Sequence, residues 1–538
     1  MRHLVSLLLL GACRDDKAPA ETAVDVETCV PSASPFTPRD EPADDTGEPQ
    51  GTWDADEDGD GWTLAEGDCD DYVATVNPGY VEVPGNGVDE DCDGSDAGPT
   101  QRLADAPWRW DGKNNYTAGT RLALAGDTNG DGVAELMIGA PDAGASNDHD
   151  NLNDRVFLLD LAGDGLAPAR ATITPELYGG ALGSGGLIGG FDADGDGYDD
   201  VAVGLPTADI NDGIQYGGEV RMYFGPLAGT LAEGDADQWI HGNLNTFGLG
   251  RALAVLDPGV GPVTLVVAYN YGAAVWALPK GDVGLLGDPV GVLAGPDGVT
   301  AAGSRLVSGD LDGDGLDDLL AGDPTAIVDG VSYAGRVDVL FGPFDPSNGV
   351  ADRMFSLGGD REKANAGYAI DIAGDTNGDG YSDVLVGAAA HPEVGDNGGK
   401  AWLFEGPVVE SASLTDAAWS LLPEHKFDRL GEAVAGLGDA NGDGLADLAV
   451  SAPRQTSYGV FYPGRVYVFS APFEGTQTGA EADLVLQGEG IADFAGATLL
   501  GGRDLDGDCL PDLLVAAPER DDDGKDAGAV YLLTGLSW

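Results

Sequence analysis

The feature that most constrains this chain is an acidic nonapeptide that recurs at a nearly constant interval. "DTNGDGVAE" begins at Asp127, and cognate loops begin at Asp192, Asp310, Asp375, Asp439 and Asp504, at spacings of 65, 118, 65, 64 and 65 residues. The interval of 118 is about twice the others, so it hides one more copy; Phe247-Gly248, Asp257 and the apolar run "TLVVAY" fill the gap at the expected distance. Seven repeats therefore follow one another, and the third, "DPGVGPVTL", has Gly259, Gly261 and Leu265 where the others carry acids or amides. A short unit copied seven times has to bury its apolar face against its neighbours rather than in one layered core.

Each copy carries four extended segments. A Gly precedes the loop by seven to nine positions: Gly119, Gly183, Gly248, Gly303, Gly367, Gly431 and Gly496. After the loop come runs such as "LMIG", "VAVG" and "VLVG", too short for helices and apolar enough for fully buried strands. An alternating segment follows, such as "GEVRMYF" or "GRVYVF", then a fourth with large apolar residues, such as "QWIHG" or "AWSLL". Four strands in about 64 residues predict an all-β fold, a seven-bladed β-propeller of four-stranded antiparallel blades over residues 106–538. The 86 Gly and 31 Pro, beside 42% hydrophobic residues, suit short strands joined by tight turns. The seventh copy shows only three segments, and "APWRWD" at residues 106–111 matches the missing fourth. The ring is expected to close by pairing this strand beside the last repeat, which removes an exposed sheet edge.

The pattern resembles the FG-GAP repeats of the integrin alpha-subunit β-propeller, with Phe247-Gly248 as the fullest FG and Gly139-Ala140-Pro141 as the fullest GAP. The seven-bladed ring implied by that family agrees with the repeat count.

The loops themselves point to a hard cation. In the first, the side chains of Asp127, Asn129, Asp131 and Glu135 and the carbonyl of Val133 are oxygen donors on a loop turned by Gly132, which matches calcium and excludes soft-metal chemistry. The corresponding sets are Asp192, Asp194, Asp196, Tyr198 (carbonyl) and Asp200; Asp310, Asp312, Asp314, Leu316 (carbonyl) and Asp318; and Asp375, Asn377, Asp379, Tyr381 (carbonyl) and Asp383. The last two are Asp439, Asn441, Asp443, Leu445 (carbonyl) and Asp447, and Asp504, Asp506, Asp508, Leu510 (carbonyl) and Asp512. The resemblance assigns calcium to these same positions. Position 12 is apolar, as at Ile138 and Val203, so these are strand-connecting loops and not EF-hands. About six calcium ions are expected, none in the third repeat. In the seventh, Cys509 replaces the turn Gly, which weakens that site or places the thiol to pair with Cys29.

The N-terminus carries an address. "MRHLVSLLLLGAC" resembles a bacterial lipoprotein signal peptide, residues 1–12, with Leu10, Gly11 and Ala12 in the lipobox and Cys13 as the lipidated residue. The chain is expected to be exported and lipid-anchored to the bacterial outer membrane or cell surface, or secreted after cleavage as an ordinary signal. Residues 13–52, rich in Pro, Thr and acids, read as a solvated tether.

Residues 53–98 form a separate acidic module. Asp54, Asp56, Asp58 and Asp60 alternate so that a curled loop can converge them on one cation, and Glu is absent from the twelfth position of an EF-hand. Cys69 and Cys92 lie in acidic clusters with no His nearby, which in an exported chain favours a disulfide over a zinc site. The stretch resembles the Cys-containing metal-binding motif near the start of many bacterial surface proteins; a disulfide-stapled acidic spacer without a metal is the plainer alternative.

Lys and Arg total 26 against 93 Asp and Glu, a net charge of -67, which sets aside nucleic acid and anionic lipid as partners. Membrane contact is confined to the lipid anchor, and a monomer is expected. Five scattered histidines and the absence of a nucleophile elbow, HExxH or phosphate loop leave little for an enzyme. The favoured reading is an adhesion or ligand-binding module for a protein or glycan. Aromatics on the connections opposite the calcium loops, Tyr216, Tyr333, Tyr458, Phe461 and Tyr462, are candidate recognition residues, and covering the blade tops is their alternative role. A calcium-dependent polysaccharide lyase and a structural envelope protein are the competing readings.

Overall fold

Each described acidic loop is the turn of a β-hairpin. In the first repeat, Arg121–Gly126 pairs antiparallel with Glu135–Ala140 across the nine-residue loop, and the register shifts between Leu124 and Gly126 where the loop begins. The second strand of that hairpin is buried at every position, which explains its unbroken apolar run. The computed structural model describes residues 100–534 except 114–115, 142–153, 162–168, 176–180, 210–216, 243–247, 257–262, 271, 279–283, 294–302, 345–350, 456–461 and 522–524. The signal, the tether and the acidic module, with Cys13, Cys29, Asp54, Asp56, Asp58, Asp60, Cys69 and Cys92, lie outside the described residues, as do Tyr216, Tyr458, Phe461 and the loop of the third repeat.

Seven separate sheets arise from seven repeats. In blade five, Ala369–Gly374, Asp383–Gly387, Ala401–Phe404 and Trp419–Leu422 run in chain order as an antiparallel meander. Blade three is built likewise from Leu253–Leu256, Thr264–Tyr269, Gly272–Ala277 and Gly291–Val292. In that blade Leu265 occupies the ninth loop position and is fully buried, so an apolar core residue stands where the other blades place a carboxylate.

The expected four strands per blade are present, and five of the sheets carry a fifth. In each of these a short segment just ahead of another blade's fourth strand, or ahead of Trp108–Asp111, adds in parallel to the outer edge: Gly229–Ala232 beside Ala171–Thr174, Ala412–Ser413 beside Arg353–Gly358, and Gly475–Thr478 beside Trp419–Leu422 are examples. The outer edge of one blade is thereby tied to its neighbour.

Closure uses two strands that precede the first repeat. Trp108–Asp111 pairs antiparallel with Ala529–Leu533 as the fourth strand of blade seven, and Thr100–Arg102 adds in parallel to Leu484–Gln487 of blade six. The apolar core is correspondingly divided into seven clusters, one between each pair of adjacent blades. The closing cluster packs Trp108, Leu514 and Val530 against Leu136 and Ile138 of blade one. The first strands face the central channel, with the acidic loops at one end and the connections from the preceding blade at the other.

Candidate metal centres

The first Asp of each loop folds the loop around itself. Asp375 accepts through Oδ1 from the backbone N–H of Gly378 at 2.7 Å and of Asp379 at 3.1 Å, and through Oδ2 from Gly380 at 2.9 Å. Asp127, Asp192 and Asp310 repeat this pattern. The fifth-position side chain then accepts from the N–H of position 7, as Asp314 does from Leu316 at 2.9 Å and Asp443 from Leu445 at 2.9 Å. Turning this tightly needs a left-handed residue at position 6: Gly380 has φ 89°, and Cys509 adopts φ 77° at the same place in blade seven. Cys509 is disulfide-bonded, and the other cysteines of the chain lie outside the described residues.

The ninth-position carboxylate is the buried root of the site. Asp318 accepts from Leu311 N–H at 2.9 Å through Oδ2 and from Gly342 N–H at 2.7 Å through Oδ1. Asp200, Asp383 and Asp447 make the same two attachments, the second to Gly225, Gly406 and Ala471 just after the third strand. One side chain thus joins the loop to two strands. The Gly-Pro and Ala-Pro pairs that repeat at those attachment points, Gly225-Pro226, Gly342-Pro343, Gly406-Pro407 and Ala471-Pro472, are the sequence signal that marks them, and each has a cis peptide bond.

Burial, followed by neighbouring carboxylates, pushes these acids up against the pull of their backbone N–H partners. Asp200 and Asp318 rise to about 7, Asp447 to about 6 and Asp512 to about 8; Asp383 and Glu135 are raised in the same way. Carboxylates held together at such cost call for a cation.

Three acidic oxygens lie within 4.8 Å of one another in four loops: Asp127, Asp131 and Glu135; Asp192, Asp194 and Asp200; Asp310, Asp312 and Asp318; and Asp504, Asp506 and Asp512. In blades five and six, Asn377 and Asn441 take the third position and three acids do not converge to that degree. Buried oxygens of Asp312, Asp439 and Asp512 have no hydrogen-bond partner among the described residues. An all-oxygen donor set with orphaned acceptors fits a hard divalent cation. Blade four has a feature of its own: Arg353 forms an ion pair with Asp312, with its guanidinium 4.5 Å above the Phe341 ring.

The loops are also chained together. The eighth residue of one loop engages the first carbonyl of the loop before it: Asp199 N–H donates to Asp127 O at 3.0 Å, Ser382 Oγ to Asp310 O at 3.1 Å, and Ala446 N–H to Asp375 O at 2.9 Å. Of the aromatic candidates on the opposite face, Tyr333 is exposed, and Tyr462 stacks on Phe494 with centroids 6.1 Å apart. The described histidines are each held by a carboxylate, His241 by Glu219, His391 by Asp360 and His425 by Asp428.

The FG-GAP repeat family matches residues 302–340, 366–404, 430–469 and 495–533, which are blades four to seven. This chain carries FG-GAP repeats. A Cu-binding MopE metal-binding motif matches residues 68–97, the stretch holding Cys69 and Cys92. Curated relatives include integrin alpha-PS2 of Drosophila melanogaster, 31% identical over 41% of this chain and 15% of its own length. Integrin alpha-V of Gallus gallus is 31% identical over 40% of this chain and 20% of its own, and integrin alpha-7 of Homo sapiens 33% identical over 43% and 18%. The chain thus spans a fifth or less of the length of these relatives. No described helix is long and apolar enough to cross a membrane.

Proposed function

We propose that this FG-GAP propeller is an exported, surface-anchored calcium-binding module that recognises a protein or glycan. The observation that carries the reading is the division of the ring into two faces. On one face, four loops bring three acids within 4.8 Å, and two more offer Asn at the third position with the same first, fifth and ninth acids. About six calcium ions there fix the hairpin turns and, through the loop-to-loop hydrogen bonds, the spacing of the blades. The other face is left to connections of varied length, where a rigid ring can present recognition residues. The lipobox Cys13 places the ring at the end of a tether, outside the cytoplasm, and the integrin alpha relatives support a binding role over a catalytic one.

Protein and glycan arrays probed with the calcium-loaded chain, and again with chelator, test this directly. A specific hit that weakens as the chelated ring softens supports the module. Release of unsaturated product from uronate polymers on the array would replace it with a lyase, and a blank array with a structural protein.

A further inference from the structure

At the end of the channel opposite the acidic loops, the chain reverses its own charge. The residue facing the first Gly, Ala or Ser of each GAP-like segment occupies one equivalent place around the channel mouth. In blades two, three, five, six and seven it is Gly186, Ala252, Ala369, Ala433 and Thr498; in blades one and four it is Arg121 and Arg305. Arg251, one residue ahead of Ala252, joins them in lining the same cavity of about 230 Å³. The small residues at the other five places leave the room that the three guanidinium groups surround.

These arginines lack the acids that such groups ordinarily gather. Arg121 and Arg305 each donate to a neighbouring backbone carbonyl, of Thr120 at 2.9 Å and Ser304 at 3.1 Å, and among the described residues none of the three has an ion pair. Burial pushes Arg121 down to about 10, and Arg305 adds to the effect; Arg305 is lowered by burial and by Arg251. The carboxylate at the rim, Glu432, is already held by Arg429 at 2.6 and 2.9 Å, and Tyr368 lies between Arg305 and Arg429 with both guanidinium carbons within about 5.6 Å of its ring. In a chain of net charge -67, three half-buried to exposed cations converging on one cavity repel one another and leave their donors open.

We propose that the channel mouth is an anion site that takes one carboxylate group, presented by a partner protein whose surrounding surface is basic. The guanidinium forks match a carboxylate, and the cavity admits a side chain or a chain terminus. The -67 background repels polyanions and favours a partner of opposite charge. The proposal rests on reading the ring as a binding module and names the chemistry that module selects.

The test uses three lysine-rich peptides with the full calcium-loaded chain at low ionic strength: one with an internal Asp and an amidated end, one with a free terminal carboxylate as its only acid, and one with no acid. Either carboxylate peptide is expected to bind at least about tenfold more tightly than the acid-free one, and which of them does so tells a side chain from a terminus. That preference should collapse in Arg121→Gln and Arg305→Gln and survive in Arg102→Gln, whose side chain is exposed. Because the arginines repel one another, neither channel variant should melt below the wild type, so lost binding with unchanged melting is attributable to the site. Arg305→Lys, which keeps the charge and loses the fork, should fall between. Equal binding of all three peptides, a preference that persists in Arg121→Gln, or displacement of the peptide by inorganic phosphate more readily than by acetate overturns the proposal. An array ligand whose binding persists in both channel variants overturns the carboxylate site while leaving the module reading intact.

Discussion

Asp318→Asn separates the two demands that a buried acid places on these loops. In the metal-free ring, burial first and then Asp312 and Asp314 raise Asp318 from 3.8 to about 7. Between those values the folded protein keeps a proton that the unfolded chain has lost, so metal-free stability falls as pH rises from about 4 to about 7 and levels off above. The rise corresponds to about 4 kcal/mol at about 1.4 kcal/mol per pH unit. Asp314 and Gly313 at the loop tip are exposed, and solvent screening cuts the usable figure to about half, roughly 2 kcal/mol. A neutral Asn removes the charge and with it the dependence, at a pH-independent cost, since its amide nitrogen cannot accept the second of the two backbone N–H groups that Asp318 holds.

In chelator, Asp318→Asn should therefore gain up to about 2 kcal/mol on the wild type between pH 5 and pH 8, on top of the constant cost of the lost attachment. Calcium at a hundred times the dissociation constant should outweigh that gain at pH 8, because the wild type is then stabilised by about 2.7 kcal/mol through this site and the variant little. Chemical denaturation at the two pH values, with chelator and with calcium, reads all four comparisons. A difference between variant and wild type in chelator that does not change with pH would refute the reasoning.

Weakening the closing strand should open the ring. Trp108 is fully buried between blades seven and one, so Trp108→Ala should cost about 3–5 kcal/mol and lower the melting of the whole propeller in one transition; unchanged melting would mean that the ring does not depend on this strand. Arg353→Gln frees Asp312 from its ion pair, and calcium titration should then show one site tightened by up to about fivefold, the range of a partly exposed charge pair. Identical isotherms for variant and wild type would show that the guanidinium does not compete with the cation.

What was legible in the sequence was what repeats locally. The donor spacing in "DTNGDGVAE", the buried second strands and the fourth-strand match of "APWRWD" are each contained in a few consecutive residues, and the structure pairs them as the pattern requires. The parallel fifth strands were not legible, because segments of two to four residues such as Ala412–Ser413 have no periodicity to detect. The second attachment of Asp318 was hidden because its partner, Gly342, lies 24 residues downstream and donates through its backbone. Arg121 and Arg305 stand 184 positions apart in the chain and are departures from the repeat; only the rotation of blade upon blade brings them to one cavity. The candidate aromatics were chosen by composition, and of those described, Tyr333 is exposed while Tyr462 is partly spent on Phe494.

The two faces should act independently. Arg121 opens the first strand of blade one and Asp127 follows its last residue, so the six residues of Arg121–Gly126 separate the cationic mouth from the acidic loop by about 20 Å at about 3.3 Å per residue. At physiological salt the screening length is about 8 Å; at 20 Å a unit charge acts with about 0.2 kcal/mol in water before screening, and the roughly twelve charges of six calcium ions act together with about the same after it. Filling the loops with calcium therefore changes the potential at the arginines too little to alter carboxylate binding by more than about twofold. The measurement is the affinity of the carboxylate peptide at physiological salt, with calcium and with chelator, below the temperature at which the chelated ring begins to melt. A tenfold change under those conditions would require the strands themselves to shift with the loops, and calcium would then be a regulator of the binding face and not only the clip that holds its turns.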